Sequence, residues 1–276
     1  MIRLFFVLFA MPCLADTLTD IEYARIGDTA LKLDLHRPGE ARAPLIVYVH
    51  GGAWRAGSKS NVPIARLLDH GFAIASVDYR LSTQARFPAQ VHDIKAAIRF
   101  LRAKSEELHI ETGKISIIGS SAGGHLAALV GVTNGNQELE GRVGGHLDQS
   151  SDVHAIVSLF GASNLQSILG QSTEFGLTVR IPALKFLLGD TPDAAPELAK
   201  LASPVDHLDK GDPPLLLIHG DADPQMPPQQ SAELKEAYQG RVVYITLPGS
   251  KHGGPEFYDE KRSSLMSDFL WKIIGS

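Results

Sequence analysis

The segment Gly119-Ser120-Ser121-Ala122-Gly123 constrains this chain more than any other. It follows the β-rich run Lys114-Ile115-Ser116-Ile117-Ile118 and precedes Gly124-His125-Leu126-Ala127-Ala128-Leu129-Val130, a helix-forming stretch. Strand, sharp glycine-flanked turn and helix are what a nucleophile elbow requires. The turn is so tight that a side chain at either flanking glycine would strike the neighbouring strand or helix. Such a turn presents the Ser121 hydroxyl above a sheet. It also sets the Ala122 N–H at a helix N-terminus, where a developing oxyanion is stabilised.

A serine hydroxyl is a weak nucleophile until a base takes its proton. The base in turn needs an orienting carboxylate, and the oxyanion needs N–H donors. The chain offers each group after an apolar run. His50-Gly51-Gly52-Ala53-Trp54 follows Leu45-Ile46-Val47-Tyr48-Val49, so Gly52 and Ala53 are candidate oxyanion donors with Ala122. The alternative for this segment is a structural turn with Trp54 packed in the core. His219-Gly220-Asp221-Ala222-Asp223-Pro224 follows Leu215-Leu216-Leu217-Ile218 and supplies two candidate acids. Ser250-Lys251-His252-Gly253-Gly254 follows the run beginning at Val242 and supplies the candidate base His252. The chain order serine, acid, histidine is that of an α/β-hydrolase.

The surrounding pattern predicts an α/β chain. Leu31–Leu35 alternates as a half-exposed strand. Continuous apolar runs at 45–49 and 72–77 read as buried parallel strands, and the runs at 153–160, 215–218 and 242–245 read as further strands. Between them, helical patterns are expected over Val62–His70, from Pro88 through Leu101, near Gln229–Tyr238 and over about Phe257–Ile274. Strands alternating with helices imply a mostly parallel central sheet flanked by helices. The alternation stops between about Ala162 and Leu208, which reads as a small cap or lid insertion.

Residues 1–15 stand apart. Arg3, the apolar run Leu4–Ala10 and the small residue Ala15 read as a signal peptide with cleavage after Ala15, leaving a single domain over 16–276. That implies a secreted or periplasmic protein. The apolar run is shorter than the about 20 residues a membrane span needs. Loss of Arg3 would take the net charge from −5 to −6, and the only cysteine, Cys13, would leave with the leader. This mildly acidic balance carries no footprint for nucleic acid and no basic run for an anionic membrane.

These motifs resemble the hormone-sensitive-lipase-like esterases of the α/β-hydrolase fold. They are most similar to the bacterial carbohydrate esterases called bifunctional feruloyl and acetyl-xylan esterases. The resemblance rests on His50–Trp54, Asp78-Tyr79-Arg80-Leu81-Ser82, Phe87–Arg99, Gly119–Ala127, Leu147–Val153 and Ala202-Ser203-Pro204. It implies Ser121 as nucleophile, His252 as base and, through the pattern H-G-x-x-D, Asp223 rather than Asp221 as acid. It further implies a small-molecule or carbohydrate ester substrate, with no metal or organic cofactor. Ala53 replaces the third glycine of the lipase-like H-G-G-G motif. Ser120 stands where many lipase-like relatives carry aspartate, which favours the carbohydrate-esterase branch. Trp54, beside the oxyanion loop, is expected to narrow the substrate pocket and favour short acyl chains.

Other residues read as structural. His125 is expected to pack between helix and sheet, and His146, Asp148, Asp152 and His154 match no metal-ligand spacing. Asp78 and Arg80 are a candidate pair, with Arg80 alternatively bordering the site. An arylformamidase shares the H-G-G-x-W motif, and a prolyl-oligopeptidase-like peptidase shares the order of catalytic groups. A non-catalytic binding module on the same fold is the remaining alternative.

Overall fold

The structure, a computed structural model, describes residues 16–275; the leader expectation for 1–15 lies outside them. The chain opens with an antiparallel hairpin, β1 (Asp16–Ile26) and β2 (Thr29–Arg37), turning at Gly27. β3 (Ala43–Val49), β4 (Ala73–Val77) and α1 (Ala89–Ala103) follow. Next come β5 (Ile110–Ser120), α2 (Ala122–Gly131), α3 (Gln137–Glu140) and β6 (Ala155–Leu159). The stretch after β6 holds α4 (Ile168–Gln171), α5 (Glu174–Leu188) and α6 (Pro196–Leu201). β7 (Leu215–Gly220), α7 (Gln229–Ala237), β8 (Val242–Leu247) and α8 (Glu260–Ile274) complete the chain.

The strands form one eight-stranded sheet in the order β1-β2-β4-β3-β5-β6-β7-β8. The pairings β1–β2 and β2–β4 are antiparallel and the other five are parallel. Both faces of the central strands are buried, which is why those strands read as continuous apolar runs rather than alternating ones. In β3, Leu45, Val47 and Val49 join the core beneath α1 and α2. Ile46 and Tyr48 join the opposite core, with Phe269 and Leu270 of α8. The catalytic candidates therefore sit at the carboxyl ends of parallel strands, where an α/β sheet opens its ligand crevice.

Three sequence expectations differ from the structure. β1 was not anticipated, because its exposed residues alternate with too few apolar ones; only Tyr23 and Ala24 are buried. The Val62–His70 helix is a single 3-10 turn, Ala65–Leu68, held by i→i+3 bonds such as Leu67 N–H to Ile64 O. Pro63 offers no N–H, and burying Ile64 and Leu67 needs only one turn. Arg80 pairs with Asp93 rather than Asp78, through Nε–Oδ2 at 2.8 Å and Nη2–Oδ1 at 2.7 Å. Asp78 instead accepts from the Lys59 N–H, and Arg80 borders a separate groove beside β1.

Candidate active site

The elbow is as tight as its sequence demands. A Cβ on Gly119 would lie 2.0 Å from the carbonyl oxygen of Gly123, and one on Gly123 would lie 2.0 Å from that of Val49. Ser121 itself is held at φ 56°, ψ −120°, a conformation costing an L-residue about 1–3 kcal/mol. The parallel pairing of β5 with β6 and the Ser121 N–H bond to Leu159 O at 2.8 Å hold it there. Gly123→Ala is expected to destabilise the fold by about 3 kcal/mol or more, read by thermal denaturation. A variant as stable as the parent would contradict this close approach.

The three candidates converge. Ser121 Oγ lies 2.8 Å from His252 Nε2, and His252 Nδ1 lies 2.7 Å from Asp223 Oδ2. Asp223 is 5% exposed, and its other oxygen, Oδ1, accepts from the Gln225 and Met226 N–H groups. Asp221 is exposed and accepts instead from the Gly249 N–H, away from the imidazole. Burial pushes the Asp223 carboxyl up. Hydrogen bonds from His219 and His252, the nearby His252 charge and the Met226 N–H outweigh it, holding the group well below the usual carboxylate range. The Phe160 ring packs edge-on against His252 with centroids 4.9 Å apart and limits its swing.

The oxyanion loop lies directly on the elbow. A Cβ on Gly51 would stand 3.3 Å from Ser121 Cβ. Gly52 and Ala53 both have positive φ, 114° and 52°. Among the described residues, the N–H groups of Gly52, Ala53 and Ala122 meet no acceptor. Three backbone donors beside one serine hydroxyl can stabilise a tetrahedral oxyanion. The crevice they border encloses about 550 Å³, with Tyr48, Arg55, Phe160, Gln225 and Tyr258 on its walls.

Trp54 is not on those walls, which corrects the expectation that it narrows the pocket. Its side chain is fully buried and donates from Nε1 to His125 Nδ1 at 3.1 Å. His125 Nε2 then donates to Ala202 O at 2.6 Å, so His125 joins the elbow helix to the 162–208 stretch. Burial pushes the His125 imidazole down to about 4, keeping it neutral in this role. Trp54 has a positive φ of 61°, and its ring lies in the core while Ala53 and Arg55 on either side of it stay on the cavity wall.

The 162–208 stretch acts on the site from behind. None of the cavity's lining residues comes from 162–208. Arg180 of α5, 2% exposed, sits 5.7 Å from the centre of the Trp54 ring. It donates to Gln225 O at 2.9 Å, two residues past Asp223. One buried guanidinium thus ties the oxyanion loop to the acid loop. His219 does similar work on the other side, with Nδ1 2.7 Å from Ser231 Oγ and Nε2 3.4 Å from Asp223 Oδ2. No sequence signal marked Arg180, an ordinary helix arginine in the pattern. His219 was visible only as the first letter of its motif. Among the described residues, no group of three or more His, Cys, Asp or Glu is arranged to hold a metal; His154 accepts from the Ile115 N–H, and His146 packs against Phe100.

A family profile described as BD-FAE matches residues 33–238. The chain is 31% identical to "Esterase LipC" of Mycobacterium tuberculosis over 218 residues, covering 76% of this chain and 53% of LipC, so it spans about half the length of that curated relative. Among solved structures it is similar to "Truncated form of carbohydrate esterase from gut microbiota", with TM-score 0.86, 32% identity, and coverage of 95% of this chain and 98% of that one. It is also similar to "Bifunctional GH43-CE Bacteroides eggerthii", with TM-score 0.83, 36% identity, and coverage of 93% of this chain and 35% of that one. The fold shared with these structures is the α/β-hydrolase fold, as the sequence implied.

Proposed function

The chain belongs to the BD-FAE family, and from that premise we propose that it is a secreted serine carboxylesterase, cleaving short acyl esters, acetyl or feruloyl, on carbohydrate or small alcohols. The observation that carries this reading is the unbroken chain Ser121 Oγ–His252 Nε2 and His252 Nδ1–Asp223 Oδ2, at 2.8 and 2.7 Å, opening on a cavity. The names of the carbohydrate-esterase neighbours support the substrate class. Secretion rests on residues 1–15 alone.

In the proposed mechanism, Ser121 Oγ attacks the ester carbonyl as His252 Nε2 takes its proton. The oxyanion is met by the N–H groups of Gly52, Ala53 and Ala122. Asp223 holds the Nδ1 proton and stabilises the imidazolium. His252 then protonates the departing alcohol, leaving an acyl-Ser121. A water, deprotonated by His252, releases the acid and restores Ser121.

Acyl length tests the reading. The cavity sets Arg55, Ser58, Asn61 and Gln225 among its aromatic residues, and a long acyl chain laid against those polar groups would strip them of water. Hydrolysis of p-nitrophenyl acetate is expected to exceed that of the octanoate in kcat/KM. Equal or better turnover of octanoate contradicts the short-acyl assignment.

The pH profile tests the assignment of roles. A general base acts only in its unprotonated form, so kcat/KM is expected to fall as pH falls. Asp223 stays ionised throughout that range because its hydrogen bonds hold its carboxyl low. The acid limb is therefore expected to follow one ionisation. A limb that steepens to two protons would mean that Asp223 titrates with the base.

A further inference from the structure

Three hydroxyls meet beside the nucleophile, and the mechanism uses none of them. Tyr48 Oη and Tyr258 Oη lie 3.2 and 2.9 Å from Ser120 Oγ. All three residues line the cavity that holds Ser121 and His252. Tyr48 and Ser120 are buried, at 1% and 6% exposure, and Tyr258 is half-buried.

The proton count of this cluster is unbalanced. Each hydroxyl carries one proton, and the cluster makes only two internal hydrogen bonds. Whichever way the hydroxyls rotate, one O–H is left over. Among the described residues no carbonyl or carboxylate accepts it. Unused lone pairs remain on the same oxygens. Burial pushes the Tyr258 phenol up to about 12 and Tyr48 further still, so the protons stay in place at any working pH. An uncharged wall with one donor and several acceptors matches a hydroxyl group, which is itself donor and acceptor. It does not match a carboxylate, which wants donors alone.

The cluster also lies on a particular side of Ser121. The leaving oxygen must approach His252, which protonates it. Tyr258 is carried six residues after His252, and the Phe160 ring touches both His252 (4.9 Å) and Phe257 (4.7 Å). The hydroxyl cluster and His252 thus share one cavity wall, the one a leaving alcohol must approach.

We propose that Tyr48, Ser120 and Tyr258 form an alcohol-side subsite that donates its spare hydrogen bond to a hydroxyl adjacent to the scissile ester, selecting polyhydroxylated alcohols over alkyl alcohols. This rests on the esterase reading above. It gives Ser120, which replaces the aspartate of many lipase-like sequences, a role that a charged residue would not fill in the same way.

The test compares trans-1,2-cyclohexanediol monoacetate with cyclohexyl acetate, which share an acyl group and differ by one vicinal hydroxyl. The wild type is expected to prefer the diol ester in kcat/KM by about tenfold, the worth of one good hydrogen bond. In Tyr258→Phe and in Ser120→Ala the ratio is expected to collapse toward unity, whatever happens to each rate. Tyr258→Phe removes a single atom and serves if Ser120→Ala does not fold. A wild-type ratio near unity, or a ratio unchanged in the variants, overturns the proposal. So does a hydroxyl preference that travels with the acyl group, seen as p-nitrophenyl glycolate favoured over the acetate in wild type but not in Tyr258→Phe. Failure of the esterase reading is separately visible, as absent turnover of p-nitrophenyl acetate by the wild type.

Discussion

Ser121→Ala is expected to lower kcat for p-nitrophenyl acetate by roughly 10⁵- to 10⁶-fold while leaving the thermal unfolding midpoint close to that of the parent. The size of the loss follows from the absence of a substitute. Ser120 carries a hydroxyl on the adjacent residue, but it is engaged by Tyr48 and Tyr258 and, among the described residues, has no base in hydrogen-bond contact. His252 would keep its bond to Asp223, and the oxyanion donors would remain, so only slow water attack survives. The fold should hold because, among the described residues, the Ser121 side chain bonds only His252, and the backbone strain of the elbow is shared by parent and variant. Turnover within tenfold of the parent would remove Ser121 from the mechanism.

Asp223→Asn is expected to cost roughly 10³- to 10⁴-fold in kcat, and the neighbouring Asp221→Asn less than about threefold. The asymmetry comes from hydrogen-bond polarity. The N–H groups of Gln225 and Met226 fix one oxygen of residue 223 as an acceptor. In the asparagine variant the amide oxygen keeps that place, and the NH₂ turns to His252 Nδ1. It can only donate there. The imidazole proton is then driven to Nε2, facing Ser121 Oγ, where a base needs a lone pair. Asp221 is exposed, and its carboxylate accepts from the Gly249 N–H in the turn after β8. Kinetics on p-nitrophenyl acetate for the two variants side by side checks this ranking, and the reverse order would place the acid at Asp221.

Much of this site could be read from the chain because its parts are local. The elbow declares itself through glycines that the backbone geometry requires. The loops His50–Trp54, His219–Pro224 and Ser250–Gly254 each follow an apolar run long enough to be a strand, so parallel pairing gathers their residues at one edge of the sheet. What the chain did not disclose depends on side-chain direction across long separations. Trp54 looked like a pocket residue from its position between Ala53 and Arg55, but its indole turns inward to donate to His125 Nδ1. Arg180 lies far along the chain from both Trp54 and Gln225, and nothing in the pattern of α5 distinguishes it from a solvated arginine. The hydroxyl cluster joins residues from β3, the elbow and the segment before α8, a meeting that only the folded sheet creates. β1 escaped notice because an edge strand exposed on most of its length carries no apolar run.

The central claim is that Ser121 is a nucleophile activated by His252 and Asp223. Treatment with a fluorophosphonate, followed by mass spectrometry of the digested protein, tests it without assuming a substrate. The expected result is one stoichiometric adduct on the peptide containing Ser121, absent in Ser121→Ala and formed far more slowly in Asp223→Asn. No adduct on the folded wild-type protein, or an adduct at another residue that persists in Ser121→Ala, would contradict it.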